Sequence, residues 1–385
     1  MKYKTTTLDN FVTLQRGFDL PAQDRIPGIV PVIAANGPVG FHNVAKVNNQ
    51  CVVLGRSGSV GNPQFISEPF WPLNTTLFVK DFHGNSPIFV YYVLKTIDFK
   101  SFDAGGTVPT LNRNHLTQIE VPLLDLARQE SIGAILQSLD LKIAANSALS
   151  QTLEDIAQTI FKSWFIDFDP VKAKMAGEKP EGMDDATAAL FPDSMEESEL
   201  GLIPEGWEIK TLGEVVDISW GDTKTTKASY VDNGFKAYSA KGQDGFLAKF
   251  DYSEMGIVLS AIGANCGKTW LATGKWSCIK NTMRIISTPN YPESIPYVYF
   301  STNKPDFWER RGTAQPFIGQ EDSRSLRILL PSNNLVRKFS EITTPIFEII
   351  NALSEENELL NELLDALLPR LISGELQIPD EMLAS

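Results

Sequence analysis

The strongest constraint on the fold of this 385-residue chain is an internal duplication with a period of about 206 residues. The stretch TTLDNFV at Thr6 matches KTLGEVV at Lys210, and GGTVP in the first copy matches RGTAQP, 206 positions later. The offset grows slowly along the chain and reaches 211 between Asn146 and Asn357. Such a drift is typical of a tandem duplication with small insertions, and the period is too long for a solenoid. We therefore predict two copies of one globular domain.

Charge alternates along the chain in step with the duplication. The net charge of the chain is −13, but residues 1–125 carry +1, residues 126–205 carry −9, residues 206–331 carry +2 and residues 332–385 carry −7. Phosphates respond to local charge rather than to the isoelectric point of the whole chain. The acidic total therefore does not exclude a nucleic-acid partner for the two near-neutral segments.

The cysteines and the hydropathy pattern indicate a reduced, cytoplasmic, metal-free protein. Cys51, Cys266 and Cys278 are isolated from one another and form neither a disulfide framework nor a metal-spaced cluster. No run of 18 apolar residues suits a membrane span, and the first residues, MKYKTTTLDNF, lack the apolar core of a signal peptide.

The stretch SAIGANCGKTW, residues 260–270, resembles a nucleotide-binding phosphate loop but lacks its spacing. That loop needs four residues between its glycines, then Lys and Ser/Thr, whereas three residues separate Gly263 from Gly267. The aligned stretch of the first copy is LGRSGSVGNPQ, in which Asn62 and Pro63 replace the lysine and the threonine. Because both stretches follow a short apolar run, we interpret them as Gly-rich turns between strands.

The rest of each 125-residue domain has the pattern of a β-rich fold with short helices. GIVPVIAANGPVGF, QCVVLG, NTTLFVK and KNTMRIIS are rich in β-branched residues and bounded by Gly, Pro or Asn, which favours strands. PIFVYYVLKTIDF and SIPYVYFSTNKPDFWE have helical periodicity. The predicted fold class is therefore α/β (α+β).

Each acidic segment contains a heptad seam. Apolar residues recur in alternating steps of four and three from 346 to 371, with Asn357 in one slot, and the first copy repeats the pattern from 135 to 160 with Asn146 in the same slot. This pattern is typical of coiled coils. It predicts a helix over about 130–164, roughly 50 Å long, and a counterpart in the second copy.

The two predicted helices most simply pair with each other, although each could instead pack on its own domain. If they run antiparallel, equivalent residues meet near the seam midpoints, so Asn146 should lie beside Asn357 and fix the register. Pro369 should kink or end the second helix. The residues that we expect to pair the helices are Leu139, Asn146, Leu153, Ile350, Asn357 and Leu364.

These patterns divide the chain into five segments. Residues 1–125 and 206–331 are the two domains, residues 126–168 and 332–385 carry the helices, and residues 169–205 are a polar, Pro/Gly-rich crossover rather than a third domain.

Several stretches resemble the specificity (S) subunit of type I restriction–modification systems. They are WFIDFDPVKAKMAG, ALFPDSMEESELGLIPEGWEIKTLGEV, GGTVPTLNRNHL and LLPRLISGELQIP. Together with the order of domain, helix, crossover, domain and helix, the resemblance covers nearly the whole chain. The sequence departs from the family pattern at its beginning, where no long counterpart of GLIPEGWE precedes Thr6.

The resemblance implies that each domain is a target recognition domain for one half of a bipartite double-stranded DNA sequence. It further implies that the paired helices set the spacing and bind two modification subunits, which carry S-adenosylmethionine and methylate adenines. Restriction (motor/nuclease) subunits would complete the complex. The chain has no NPPY-like or DPPY-like tetrapeptide and no F-x-G-x-G. We therefore expect no catalytic residue, metal or cofactor in this chain.

Base reading requires side chains that reach base edges, typically Arg or Lys to guanine and Asn or Gln to adenine. Each residue of these types could equally be a solvated surface residue or a turn former, as Asn36 and Asn112 illustrate. The first-domain candidates are Arg56, Ser57, Asn112, Arg113, Asn114 and, in the turn AANGP, Asn36. The second-domain candidates are Lys241, Lys268, Gln315, Gln320 and Arg324 for bases, with Lys224, Lys227, Arg310 and Arg311 for phosphates.

Two alternative functions remain open at this point. A coiled-coil scaffold would assemble partners without reading DNA sequence, and a phosphate-loop enzyme would bind nucleotides through Lys268 and Thr269.

Overall fold

The computed structural model describes residues 3–102, 110–304 and 306–379, and the chain divides into two compact units. Unit 1 comprises Met1–Asn146 with Glu356–Ser385, and unit 2 comprises Ser147–Glu355. Each unit therefore takes one part of each long helix, and unit 1 is formed by two separate segments whereas unit 2 is one continuous segment. The repeat motif GGTVP lies outside the described residues.

The elements of unit 1 are short strands, two short helices and the first part of a long one. In chain order they are β1 (Lys4–Thr7), α1 (Leu8–Phe11), β2 (Thr13–Arg16), β3 (Val30–Ala34), β4 (Gly37–His42), β5 (Cys51–Gly55), β6 (Gly61–Ile66), β7 (Trp71–Pro72), β8 (Thr76–Asp81), α2 (Pro87–Lys95), β9 (Glu120–Leu123) and α3 (Leu126–Phe165). Single 3-10 turns occupy Ala22–Asp24, Phe99–Phe102 and Arg113–His115.

Unit 2 contains the second part of α3 and the first part of α9, with a helical and hairpin segment and a repeat of the strand pattern between them. Its elements are α4 (Asp169–Met175), α5 (Asp185–Ala188), β10 (Met195–Ser198), β11 (Gly201–Pro204), β12 (Glu208–Thr211), α6 (Leu212–Val215), β13 (Val216–Trp220), β14 (Phe235–Ser239), β15 (Gly242–Leu247), β16 (Gly256–Ser260), β17 (Thr269–Ala272), β18 (Trp276–Cys278), β19 (Thr282–Ser287), α7 (Ile295–Thr302), α8 (Gln320–Ser325), β20 (Arg327–Leu330) and α9 (Asn333–Ser373). A 3-10 turn lies at Lys227–Ser229.

The two units have the same sheet topology, so the duplication and the mixed helix-and-sheet fold class are confirmed. Unit 1 has the strand orders β1-β9, β2-β8-β5-β6 and β4-β3-β7, and unit 2 has β12-β20, β13-β19-β16-β17 and β15-β14-β18. Pairing is antiparallel except for β3 with β7 and β14 with β18. The apolar runs CVVLG and GIVLS form β5 and β16, whose residues are all buried.

Strand pairing fixes which residues of the two copies are equivalent. Gly55 pairs with Thr76 in unit 1, and Ser260 pairs with Thr282 in unit 2. The two threonines are equivalent because each donates its hydroxyl to the carbonyl oxygen three residues earlier, at 2.7 and 2.5 Å. Gly55 therefore corresponds to Ser260.

The equal-length alignment of the two Gly-rich turns is consequently wrong by one residue at its start. The alignment made Arg56 equivalent to Ile262, whereas strand pairing makes Arg56 equivalent to Ala261. The next contacts agree, since the N–H of Leu111 donates to the carbonyl of Arg56 at 2.8 Å and that of Ile318 to the carbonyl of Ala261 at 2.9 Å. The turn of unit 2 is thus one residue longer, a difference that no periodicity in the sequence reveals.

The heptad seams form two long helices, α3 of 40 residues and α9 of 41 residues. Helix α9 does not end at Pro369 but continues to Ser373. In unit 1, Ile132 and Leu136 near the start of α3 share a core with Leu368 and Leu371 near the end of α9. The pairing is therefore antiparallel.

In unit 2 the core between these helices is aromatic. Phe161 and Phe165 of α3 pack against Phe339 of α9, with ring centroids 5.9 and 5.2 Å apart, and against Tyr297 of α7. Here the end of α3 meets the start of α9, which again gives antiparallel pairing. Of the predicted seam, Leu149 and Ile156 are 47% and 45% exposed, so those two positions are not buried by the partner helix.

The crossover between the repeats belongs to unit 2. Val171 of α4 and Phe191 are buried in the same core as the strands of that unit, and Ile203 of β11 is also buried. In unit 1 the segment after α9 has a comparable position, because Ile378 is buried in that core and a Cβ on Gly374 would lie 2.7 Å from the ring of Tyr3. Among the described residues, no helix is both long enough and apolar enough to cross a membrane.

Candidate nucleic-acid interface

In unit 1 the fold brings two of the predicted DNA-contacting segments together. Arg56 follows β5, and its N–H donates to the carbonyl of Thr75 at 2.8 Å. Ser57 forms a β-bridge with Thr110, which places the turn after β5 directly beside Arg113. The two segments are far apart in sequence, and the sheet order decides that they are neighbours.

These segments line a cleft of 470 Å³ that contains three arginines, and we call it the arginine cleft. Its lining residues are Gln15, Arg16, Arg56, Leu77, Thr110, Leu111, Asn112 and Arg113. Sequence reasoning missed Gln15 and Arg16, which lie at the end of β2 next to β8. A usable signal was Gly17, which matches Gly221 of the second copy: a Cβ there would lie 2.1 Å from the carbonyl oxygen of Leu73. A glycine that the backbone approaches so closely indicates that the end of β2 is held in one position. The preceding residue, Arg16, is therefore also held in one position.

The arginines of the cleft keep most of their donors available. Arg16 donates from Nε to the carbonyl of Asn74 at 3.4 Å and lies 3.7 Å from the exposed carboxylate of Asp19. Within the described part of the chain, the guanidinium groups of Arg56 and Arg113 form no hydrogen bond or ion pair. An arginine without an internal acceptor retains its donor fork for a carboxylate, a phosphate or a guanine edge.

The asparagines beside the cleft have different roles. The Oδ1 atom of Asn112 accepts the N–H of Asn114 at 3.0 Å and caps the 3-10 turn. The turn-forming role is therefore present at Asn112, while the side chain of Asn114 is exposed. Asn36 lies exposed at the tip of the β3–β4 hairpin and does not line the arginine cleft.

In unit 2 the equivalent turn meets the segment that follows Arg310. Gly263 N–H donates to the carbonyl of Pro316 at 2.9 Å, and Ile262 forms a β-bridge with Phe317. The guanidinium of Arg310 lies against the turn, 3.0 Å from the Cβ position of Gly267. Four predicted residues are exposed here, namely Lys268, Arg310, Arg311 and Gln315.

The Gly-rich turn of unit 2 does not have phosphate-loop architecture. It joins the antiparallel strands β16 and β17, whereas a phosphate loop joins a strand to the N-terminus of a helix. The N–H of Lys268 donates to the carbonyl of Asn265 at 2.9 Å, inside the turn. The prediction of a turn between strands is confirmed.

Gln320 and Arg324 have their donors directed into unit 2. Nε2 of Gln320 and a terminal nitrogen of Arg324 both donate to the carbonyl of Ile218, at 2.9 and 2.8 Å. Arg324 also pairs with Glu321 at 2.9 Å. These contacts tie α8 to β13.

The lysines after β13 surround a partly buried carboxylate. Lys227 forms an ion pair with Asp244, which also accepts hydrogen bonds from Tyr230 at 2.8 Å and Ser239 at 2.7 Å. Burial raises the pKa of Asp244, but the hydrogen bonds outweigh burial and hold its pKa below the ordinary value. Lys224 and Lys241 are also exposed.

The buried asparagine of α3 lies against its counterpart in α9, as the seam midpoints predicted. Nδ2 of Asn146, a residue only 3% exposed, donates to Oδ1 of Asn357 at 2.9 Å. It also donates at 2.8 Å to Glu356, which accepts from Lys142 at 3.2 Å. The seam pattern did not predict that Glu356 joins the pair.

The remaining predicted pairing residues lie in the helical parts of the two cores or beside them. Leu364 is buried and Leu139 partly buried in the core of unit 1. Ile350 packs against the core of unit 2, and Leu153 is half-buried.

Comparison with known proteins agrees with these features. The family model described as "Type I restriction modification DNA specificity domain" matches residues 2–155 and again residues 204–368. The chain is 25% identical over 382 residues to the type I restriction enzyme MjaIX specificity subunit of Methanocaldococcus jannaschii, covering 91% of this chain and 78% of the relative. It is 28% identical to the type I restriction enzyme HindI specificity subunit of Haemophilus influenzae, covering 71% and 72%.

A solved structure shares the fold. The crystal structure of a type I restriction–modification system S subunit from M. genitalium superposes with a TM-score of 0.66 at 17% identity, covering 97% of this chain and 96% of that chain. The family model matches each copy of the duplication, and the two matches together cover most of the sequence. The chain therefore belongs to the family of type I restriction–modification DNA specificity proteins.

Proposed function

We propose that this chain is the DNA-specificity subunit of a type I restriction–modification complex, and that each unit reads one half of a bipartite DNA sequence. One observation carries the proposal: the same sheet topology occurs twice, and in each copy the turn after β5 or β16 is joined to a cationic segment by equivalent main-chain hydrogen bonds. Two copies of one reading surface suit a target with two separate halves.

The chemistry of the two surfaces suits DNA. Exposed arginines, lysines and amides supply hydrogen-bond donors for phosphates and base edges, and glycines let the backbone approach closely. In this proposal the chain supplies recognition only. Partner modification subunits bind S-adenosylmethionine and methylate adenines, and restriction subunits cut.

The long helices suit a role in spacing and assembly. Helix α3 contributes to unit 1 as far as Asn146 and to unit 2 from Ser147, and α9 is divided at Glu355 and Glu356. In this proposal the helix length fixes the number of unread base pairs. The helices also expose apolar side chains that would pack against modification subunits, among them Leu141 (61%) and Leu359 (66%).

Mapping of methylated adenines in cells tests the proposal. Arg56→Ala should alter one half of the recognition sequence, and Lys268→Ala should alter the other half, because each residue lies in a different unit. Equal loss of discrimination in both halves for either variant would refute the two-reader model. A methylation pattern unchanged by deletion of the gene would favour the scaffold alternative.

A further inference from the structure

The two units differ in chemistry at three equivalent positions of the fold. Arg16 pairs with Leu77 at the end of β2, and Trp220 pairs with Met283 at the equivalent end of β13. Arg56 corresponds to Ala261, as shown above. The third arginine, Arg113, begins the 3-10 turn two residues after Leu111, and Gln320 begins α8 two residues after Ile318. At these three equivalent positions unit 1 has arginines, whereas unit 2 has the indole of Trp220, the methyl group of Ala261 and the amide of Gln320.

At the third position unit 2 does hold a cation, because Arg324 donates to the same carbonyl of Ile218 as Gln320, but its guanidinium is bonded to that carbonyl and to Glu321. Trp220 is 37% exposed, and Nε2 of Gln320 is bonded to the carbonyl of Ile218. Two exposed cations of that unit, Lys268 on the turn and Arg310 beside it, lie outside these three positions.

Positions at which the two copies differ in residue type are informative about which contacts go to bases and which go to phosphates. The phosphate backbone is the same in both halves of a DNA target, so two copies of one fold should contact it with equivalent residues. The base sequence differs between the halves, so positions that differ between the copies are suited to reading bases. Arginine in a groove favours guanine, whose O6 and N7 atoms accept its donor fork.

We propose that the arginine cleft, formed by Arg16, Arg56 and Arg113, reads a guanine in the half-site of unit 1, and that unit 2 has no equivalent reader. The inference rests on the proposed function, since it assigns a base to one of the two reading surfaces. The described lining of the cleft contains three arginines and no carboxylate, and Asp19, which lies 3.7 Å from Arg16, is outside that lining. The ligand of the cleft must therefore be rich in acceptors.

The test uses the complete complex of this chain with its modification subunits and duplexes that carry the mapped target. Every base pair of each half-site is replaced in turn, and binding is measured over a range of salt concentrations. Arg113→Ala should lower the preference for guanine at one position of one half-site by about 5- to 150-fold and leave the other half unchanged. Arg113→Lys keeps the charge but loses the planar fork, so it should lower the guanine preference while the salt dependence stays as in the wild type.

The control variant is Lys80→Ala, which removes an exposed cation from β8 without touching the cleft. It should leave the guanine preference unchanged. A uniform loss of affinity for all sequences in Arg113→Ala, with a shallower salt dependence, would show a phosphate contact and overturn the inference. So would a target without a G·C pair in either half, or a guanine preference that Arg113→Ala and Arg56→Ala both retain. In these cases a bipartite target would still support the proposed function, whereas a wild-type complex without any sequence preference would overturn both.

Discussion

The hydrogen-bonded pair of Asn146 and Asn357 offers the sharpest test of how the helices are held together. Replacing Asn146 by Ala removes its hydrogen bond to Oδ1 of Asn357 at 2.9 Å and its hydrogen bond to the carboxylate of Glu356 at 2.8 Å. A neutral hydrogen bond contributes about 0.5–1.5 kcal/mol net, and a hydrogen bond to a charged group contributes about 1.5–3 kcal/mol. We expect unit 1 to lose about 2 kcal/mol, which is about a 30-fold change in its unfolding equilibrium.

Fluorotryptophan labelling makes the loss measurable unit by unit. Of the seven tryptophans, Trp71 is in unit 1 and the other six are in unit 2. The 19F resonance of Trp71 during urea unfolding therefore reports on unit 1 alone. Asn146→Ala should shift the midpoint of that resonance more than the midpoints of the other six.

A double-mutant cycle with Asn357→Ala isolates the pair. We expect a coupling free energy of about 1 kcal/mol between the two positions. Replacing both residues by Leu should restore or raise stability, because no polar group then remains unpaired, at the expense of a defined register. A coupling energy indistinguishable from zero would refute the structural reasoning, because the two amides would then not be in contact in solution.

Three further predictions concern spacing, pH and packing. Inserting four residues at Ala148 adds close to one helical turn, or roughly 6 Å, to the length of α3. The insertion should lengthen the unread spacer between the half-sites by one or two base pairs. Mapping of methylated adenines that showed changed half-sites with an unchanged spacer would contradict this prediction. Hydrogen bonds from Lys142 and Asn146 hold the pKa of Glu356 below the ordinary value of 4.5. The ionised carboxylate of Glu356 therefore contributes to the stability of unit 1 above pH 4.5, and this contribution is lost as the pH falls through the lowered pKa. Glu356→Gln should reduce the acid sensitivity of unit 1 unfolding, as followed by the Trp71 resonance. A pH profile identical to that of the wild type would contradict this prediction. Gly17→Ala should destabilise unit 1 more than Gly84→Ala, because a Cβ on Gly17 would lie 2.1 Å from a carbonyl oxygen. Gly84 has open space, so an alanine there has only the backbone strain of its φ of +81°, and similar urea midpoints for both variants would be the opposing result.

Local and periodic features of this protein could be predicted from its sequence. The duplication, the apolar runs that form β5 and β16, and the Gly-rich turns between strands all depend on residues close in the chain. The heptad seam also located Asn146 opposite Asn357, because the midpoint of an antiparallel pair follows from the seam limits alone.

Only the tertiary structure decided which distant side chains meet. The order β2-β8-β5-β6 brings Arg16 to Arg56, although no pattern in the sequence links them. Gln320 and Arg324 are of residue types as suitable for base reading as Arg113. In the structure, however, both donate hydrogen bonds to the carbonyl of Ile218. The chemical type of a side chain defines what it can bind. Which partner it meets depends on strand order and on one-residue differences in turn length, and neither of these has a periodic signature in the sequence.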